Sequence, residues 1–315
     1  MIVDGNWKNS IMANLGYSFL LVLTAFIWGS AFVAQVEGNV AGPFVFTCVR
    51  NFVGSAFLVL VFKALDALKK SPRRPASEAE RKLLWQAGTL CGVALFFAMN
   101  LQQAGIYLGT SAGKSGFLTA CYIVLVPVLG IFLHKKNTVK IWLCVAVTLV
   151  GLFLLCIKGD FTMELADGIS LLCALAFAVQ ILIVDKFVSR VDGVRLSCVQ
   201  FFVCAVLTIF PMVFLDMKFS WAGLMGAVEA YSNFSAWLPL LYAAILSTGV
   251  AYTLQIIAQN KIKPTVASLL MSLESVFAVL SGWVVLGEQL SVRELTGCAL
   301  MMAAIVAAQV NPSKS

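Results

Sequence analysis

Apolar residues run through this chain in long blocks separated by short polar segments, and the blocks show no two-residue alternation. A bilayer core about 30 Å thick needs about 20 apolar residues per helix, and the chain offers such blocks repeatedly. The pattern predicts ten membrane-spanning helices: Leu15 to Gln35, Pro43 to Leu65, Leu83 to Tyr107, Ala112 to Leu133, Val139 to Ile157, Gly168 to Val184, Leu196 to Leu215, Phe234 to Ala258, Val266 to Leu286 and Leu295 to Val310. Barrel strands would alternate apolar and polar positions, which these runs do not. The first block follows Lys8 and has the look of a signal peptide, but its spanning length and the blocks behind it make it a retained first helix.

The blocks repeat. Thr47-Cys48-Val49-Arg50-Asn51-Phe52-Val53 returns 150 positions later as Ser197-Cys198-Val199-Gln200-Phe201-Phe202-Val203. Leu101-Gln102 is answered by Leu254-Gln255, Leu118 to Thr138 by Met271 to Ser291, and Leu20-Leu21 with Ala25-Phe26 by Leu171-Leu172 with Ala176-Phe177. The expected units are 1–158 and 159–315, with five helices each. Five is odd, so the second copy runs through the membrane in the opposite direction. The fold expected is all-α and integral to the membrane, with two inverted five-helix repeats around a pseudo-two-fold axis, an arrangement typical of secondary transporters.

Composition agrees. The 315 residues are 61 % hydrophobic and only 12 % charged, against about 25 % charged in soluble domains. The net charge of +7 sits in turns between helices rather than in a basic domain, so it indicates topology and not nucleic acid. Basic residues gather in cytoplasmic loops. With the N-terminus inside, those loops hold Lys8, Lys63, Lys69, Lys70, Arg73, Arg74, Arg81, Lys82, Lys135, Lys136, Lys140, Lys186, Arg190, Arg195, Lys261, Lys263 and Lys314, leaving Lys158, Lys218 and Arg293 outside. Both termini are expected on the cytoplasmic side of the cytoplasmic membrane. The nine cysteines all fall in apolar runs without a CxxC spacing and read as buried free thiols.

Ile27-Trp28-Gly29-Ser30-Ala31-Phe32, Arg50 in the second helix, Ser115-Gly116-Phe117-Leu118-Thr119-Ala120 with Val126-Pro127, and Ser272-Leu273-Glu274-Ser275-Val276-Phe277-Ala278 with Gly287-Glu288 resemble the EamA family of the drug/metabolite transporter superfamily. The resemblance covers nearly the whole chain as two units. It implies ten helices and export or exchange of small metabolites without ATP, with amino acids and related compounds foremost. The first unit departs from the family's Gly-Glu after its fourth helix, carrying His134-Lys135-Lys136 there.

Polar groups at bilayer depth are costly and face the bundle interior. Arg50 lies about 10 Å below the outer end of its helix, and Glu274 about 12–14 Å above the inner end of its own. Lys114 sits near the outer interface, within reach by snorkelling. Arg50 and Glu274 could pair with each other or with charged groups of a substrate, and Arg50 could instead hold helix-end carbonyls. Glu274, short and at mid-depth, is the proton-coupling candidate. Asn100, Gln103 and Tyr107 share one helical face, as do Tyr252, Gln255 and Gln259. The two stripes could line a cavity or merely fasten helices. With Trp28, Tyr122 and Gln180, the candidate cavity is Trp28, Arg50, Asn100, Gln103, Tyr122, Gln180, Tyr252, Gln255 and Glu274. Gly105, Gly109 and Gly113 read as a packing stripe.

No phosphate-binding loop, HExxH or potassium-filter motif occurs, and His134 is the only histidine, so no cofactor or metal is expected. The partners expected are a small-molecule substrate, the lipid bilayer and protons, with a homodimer left open. The function expected is that of a secondary transporter working by alternating access. A membrane-embedded enzyme, or a passive pore or scaffold, is the alternative.

Overall fold

The computed structural model describes residues 4–71, 73–110, 112–157, 164–286 and 291–309, and every regular element among them is helical. Lys158, Asp160, Gly287, Glu288, Val310 and Lys314 lie outside the described residues. Ten helices are long and apolar enough to cross a membrane: α1 (Leu15–Glu37), α2 (Pro43–Ala67), α3 (Glu78–Tyr107), α4 (Lys114–Phe132), α5 (Val139–Cys156), α6 (Leu165–Phe187), α7 (Gly193–Asp216), α8 (Phe234–Gln259), α9 (Pro264–Ser281) and α10 (Val292–Gln309). Local chemistry sets several ends. α2 opens on Pro43, whose missing N–H costs nothing in the first turn. α3 begins at Glu78 rather than Leu83 because Ser77 and Glu80 form a capping box, satisfying two donors that hydrophobicity alone does not register. Gly109, expected to pack, instead turns the chain after α3 at φ 110° with open space around it, while Gly105 does abut α6.

The two units are inverted, and the contacts show it directly. Cys48 of α2 donates to the Ala205 carbonyl of α7 (3.5 Å), and Ser55 of α2 donates to the Cys198 carbonyl (3.2 Å). Cys198 and Ala205 are the positions that repeat Cys48 and Ser55, so each contact is the other's image. Residue numbers that fall on one helix as they rise on the other require antiparallel packing. The Phe52 and Phe202 rings, equivalent to one another, meet on the axis at 6.4 Å. α5 and α10 also pack antiparallel. Gly151 faces Met301, Gly297 faces Leu155, and the two glycines let the backbones approach closely.

Among the described loop residues, the end of the bundle joining α2 to α3, α4 to α5, α6 to α7 and α8 to α9 carries most of the basic side chains. It is tied by Arg195–Asp66 (2.6 Å) and by Lys135–Asp185. The opposite end holds Glu37, Asp167, Asp216 and Glu229. There Asp216 accepts from the backbone N–H groups of Phe44 and Val45, both at 2.8 Å. The segment after α7 contains an additional helix, Trp221–Ala230, with Trp221 exposed.

Besides α7, whose last turn Met212–Asp216 is π-helical, three spans depart from plain α-helix. α4 and α9, expected to be continuous, are interrupted near mid-depth, at Cys121 between Ala112–Ala120 and Tyr122–Phe132, and at Ser272–Leu273 between Pro264–Met271 and Glu274–Leu286. Side chains occupy the carbonyls there. Cys121 donates to Phe117 (3.4 Å), Ser268 to Thr265 (2.9 Å) and Ser272 to Leu269 (2.8 Å), a back-bonding that bends helices. In α8, Tyr242–Ala251 is a π-helix, a widened turn common at functional sites.

Candidate functional site

A cavity lies between the two units, lined by Trp28, Phe32, Gln35, Arg50, Gln102, Thr119, Tyr122, Phe177, Ser247, Tyr252 and Glu274. α1, α2, α3 and α4 of the first unit face α6, α8 and α9 of the second. The interruptions in α4 and α9 put Tyr122 and Glu274 at the first positions of new half-helices. A carboxylate there meets the positive end of the helix dipole. The Tyr122 hydroxyl donates to Glu274 Oε1 at 3.1 Å. The π-helix re-aims three groups of α8. Trp28 Nε1 donates to the Ser247 carbonyl (3.2 Å), Thr24 to the Ala251 carbonyl (3.2 Å), and Arg50 Nε to Thr248 Oγ1 (3.2 Å). Trp28 and Tyr252 also pack ring to ring at 4.6 Å.

Arg50 is buried, with Thr248, the Gln35 side-chain oxygen (3.4 Å) and the Phe46 ring (5.7 Å) as its surroundings. Glu274 is buried too. Among the described residues neither one forms an ion pair, with the other or with any third residue. Two of the open possibilities therefore resolve: in this conformation Arg50 and Glu274 are unpaired, and Arg50 holds side chains rather than helix-end carbonyls. Desolvating a charge without a counter-charge costs several kcal/mol, and burial favours the neutral form of a carboxyl.

Of the nine candidate residues, five line this cavity: Trp28, Arg50, Tyr122, Tyr252 and Glu274. The other four lie elsewhere. Asn100 donates to the Thr208 hydroxyl of α7 (2.9 Å) and to its own Phe96 carbonyl, and Gln103 donates to the Gln35 carbonyl (3.0 Å). Gln180 and Gln255 belong to a buried chain of amides beyond Tyr252, toward the basic end. Tyr107 is exposed, so the α3 stripe does not continue into the cavity. Gln102, one residue from the stripe, lines it instead and donates to Thr119 (3.0 Å). The match of Leu101-Gln102 with Leu254-Gln255 is the signal that points to it. Lys114 reaches Asp167 at 2.5 Å instead of snorkelling to the interface. The cysteines are free, and no group of three or more metal-ligating side chains occurs among the described residues.

The chain belongs to the EamA-like transporter family, which matches residues 15–157 and 165–308, one unit after the other. It is 29 % identical over 301 residues to an uncharacterized transporter of Archaeoglobus fulgidus, covering 94 % of this chain and 85 % of that one. It is 27 % identical over 299 residues to the threonine/homoserine exporter RhtA of Escherichia coli K12, covering 92 % and 88 %. A solved crystal structure superposes with a TM-score of 0.73 at 17 % identity, over 93 % of this chain and 96 % of the other. That likeness concerns the fold. The protein is thus a multi-pass membrane transporter and not an enzyme.

Proposed function

We propose that this transporter exports small amino acids of the threonine and homoserine kind across the cytoplasmic membrane by alternating access, with its basic end in the cytoplasm and protons as the coupling ion. The observation that carries the reading is the unpaired Arg50 and Glu274 on the wall of one cavity. A zwitterion supplies both missing charges, its carboxylate to Arg50 and its ammonium to Glu274. Trp28, Phe32 and Phe177 limit the side chain to a small one, while Thr119 and Ser247 offer polar groups near by. The threonine/homoserine exporters among the relatives support the same substrate class. Basic residues concentrated at one end support its cytoplasmic placement.

Glu274 can hold either an ammonium group or a proton, and only one at a time. Exchange of the two at one carboxyl would couple outward movement of substrate to inward movement of protons. Purified protein in liposomes tests this by threonine counterflow at graded pH. Saturable threonine uptake whose rate depends on pH is expected for the wild type. Glu274→Gln is expected to abolish both the pH dependence and proton-driven accumulation. Wild-type pH dependence in that variant would remove Glu274 from the coupling.

A further inference from the structure

Beyond Tyr252 the polar face of α8 does not stop at the cavity wall. Gln255 and Gln259 continue it to the last residue of the span, about 10 Å farther along at 1.5 Å per residue. Both are buried, as are Gln180 of α6 and Gln200 of α7. Gln180 Nε2 donates to Gln200 Oε1 (3.3 Å), Gln255 Nε2 donates to Gln180 Oε1 (3.1 Å) and to Gln259 Oε1 (2.9 Å), and Gln259 Nε2 donates to the Ile181 carbonyl (3.1 Å). The chain begins beside the cavity and runs toward the basic end.

Two of its atoms have no partner: Gln200 Nε2 and Gln255 Oε1 are buried and unbonded among the described residues. Each has given up water without a replacement partner, as have Asn100 Oδ1 and Gln103 Oε1 elsewhere, but here a donor and an acceptor are left on one linked chain of amides. A free donor and a free acceptor on the same amide chain are the two kinds of partner a polar solute needs. The inverted repeat gives the cluster a counterpart. Gln200 stands 150 positions after Arg50, and Gln180 lies on the helix that repeats α1, where Gln35 accepts from Arg50. Thus an α1–α2 polar pair lines the cavity toward the acidic end, and an α6–α7 polar pair lies buried toward the basic end.

We propose that Gln200, Gln180, Gln255 and Gln259 form the closed basic-end stretch of the translocation path, whose amides serve one another in this conformation and serve the polar groups of a small zwitterionic substrate when that end opens. An amide both donates and accepts, so the four can exchange partners without leaving a charge stranded, as an arginine there would. The inference rests on the carrier reading above for its substrate, but not for its geometry.

Thiol labelling tests the geometry without reference to substrate. Gln255→Cys, Gln259→Cys and Ile256→Cys are made singly in the full chain and exposed in membrane vesicles to an impermeant methanethiosulfonate reagent. Modification is mapped to residues 252–259, a segment without native cysteine. Ile256 is fully buried in apolar packing on another side of the same helix. Labelling at 255 and 259 from the basic end, at least about tenfold faster than at 256, is the expected result, since thiol reactivity follows access. Equal rates at all three positions, or none at 255 and 259, would overturn the proposal. A second arm uses Gln180→Leu. Equilibrium threonine binding is expected to stay within about threefold of wild type while counterflow falls about tenfold or more, the split that separates binding from movement. Flux that is unchanged, or that falls only in step with binding, would also overturn it. Cysteine variants that label as expected, alongside wild-type protein that moves no threonine, would uphold the path and reject the substrate reading.

Discussion

Arg50 donates Nε to Thr248 on α8 and Nη1 to Gln35 on α1, so the guanidinium is oriented before any ligand arrives. A charge-assisted hydrogen bond contributes about 1.5–3 kcal/mol. Arg50→Gln should therefore raise the apparent Km for threonine about 10- to 100-fold, and Arg50→Lys should fall between it and wild type because lysine keeps the charge without the planar fork. Equal loss in both variants would point to orientation rather than charge, and no change in either would remove Arg50 from the substrate site. Arg50 and Glu274 were legible in the sequence because an ionised side chain within an apolar block has few physical excuses. Gln102 was harder to separate from Gln103. Three- and four-residue spacing identifies a helix face, but not what that face meets, and on α3 Asn100 turns to Thr208 of α7.

At the scale of the helix, the site depends on how closely α1 approaches α9. A Cβ at Gly29 would stand 2.5 Å from the Glu274 carbonyl oxygen and 2.8 Å from the Ala278 nitrogen. Both are backbone atoms that cannot swing aside, so Gly29→Ala must push α1 off the half-helix that carries Glu274. Overpacking of this kind costs about 1–3 kcal/mol. The expected outcome is a lower thermal midpoint together with weaker threonine binding, because Trp28 and Glu274 would move apart. Gly226, in the helix Trp221–Ala230 and with nothing within 4 Å of the place a methyl would take, is the control. Gly226→Ala should be neutral or stabilise by up to about 1 kcal/mol. The spans themselves were readable from the apolar blocks, since lipid forces backbone groups to pair within each helix. The interruptions were not. No glycine or proline stands at Cys121 or at Ser272–Leu273; the bends arise from Cys and Ser side chains bonding back to carbonyls, residues that sit equally well in an unbroken helix.

The symmetry of the whole molecule joins its two ends. Asp66, at the end of α2, accepts from Arg195 at the start of α7 on the basic side. Asp216, 150 positions after Asp66, accepts from Val45, 150 positions before Arg195, on the acidic side. One latch is the image of the other under the inverted repeat. The repeat was visible in the sequence, but the latches were not, because one partner is a backbone N–H that no residue type announces. In a carrier that opens its ends alternately, each latch favours closure of its own end. Both carboxylates are partly accessible, so solvent screening keeps each latch weak, and a change of about fivefold in the ratio of the two states is expected. Asp66→Asn should then speed labelling of a Gln255→Cys variant from the basic end about fivefold, and Asp216→Asn should slow it by a similar factor. Opposite signs are the decisive outcome, because a general loss of stability would loosen the bundle and speed labelling in both. If both substitutions move the rate in the same direction, the two carboxylates hold the fold together and do not choose between its states.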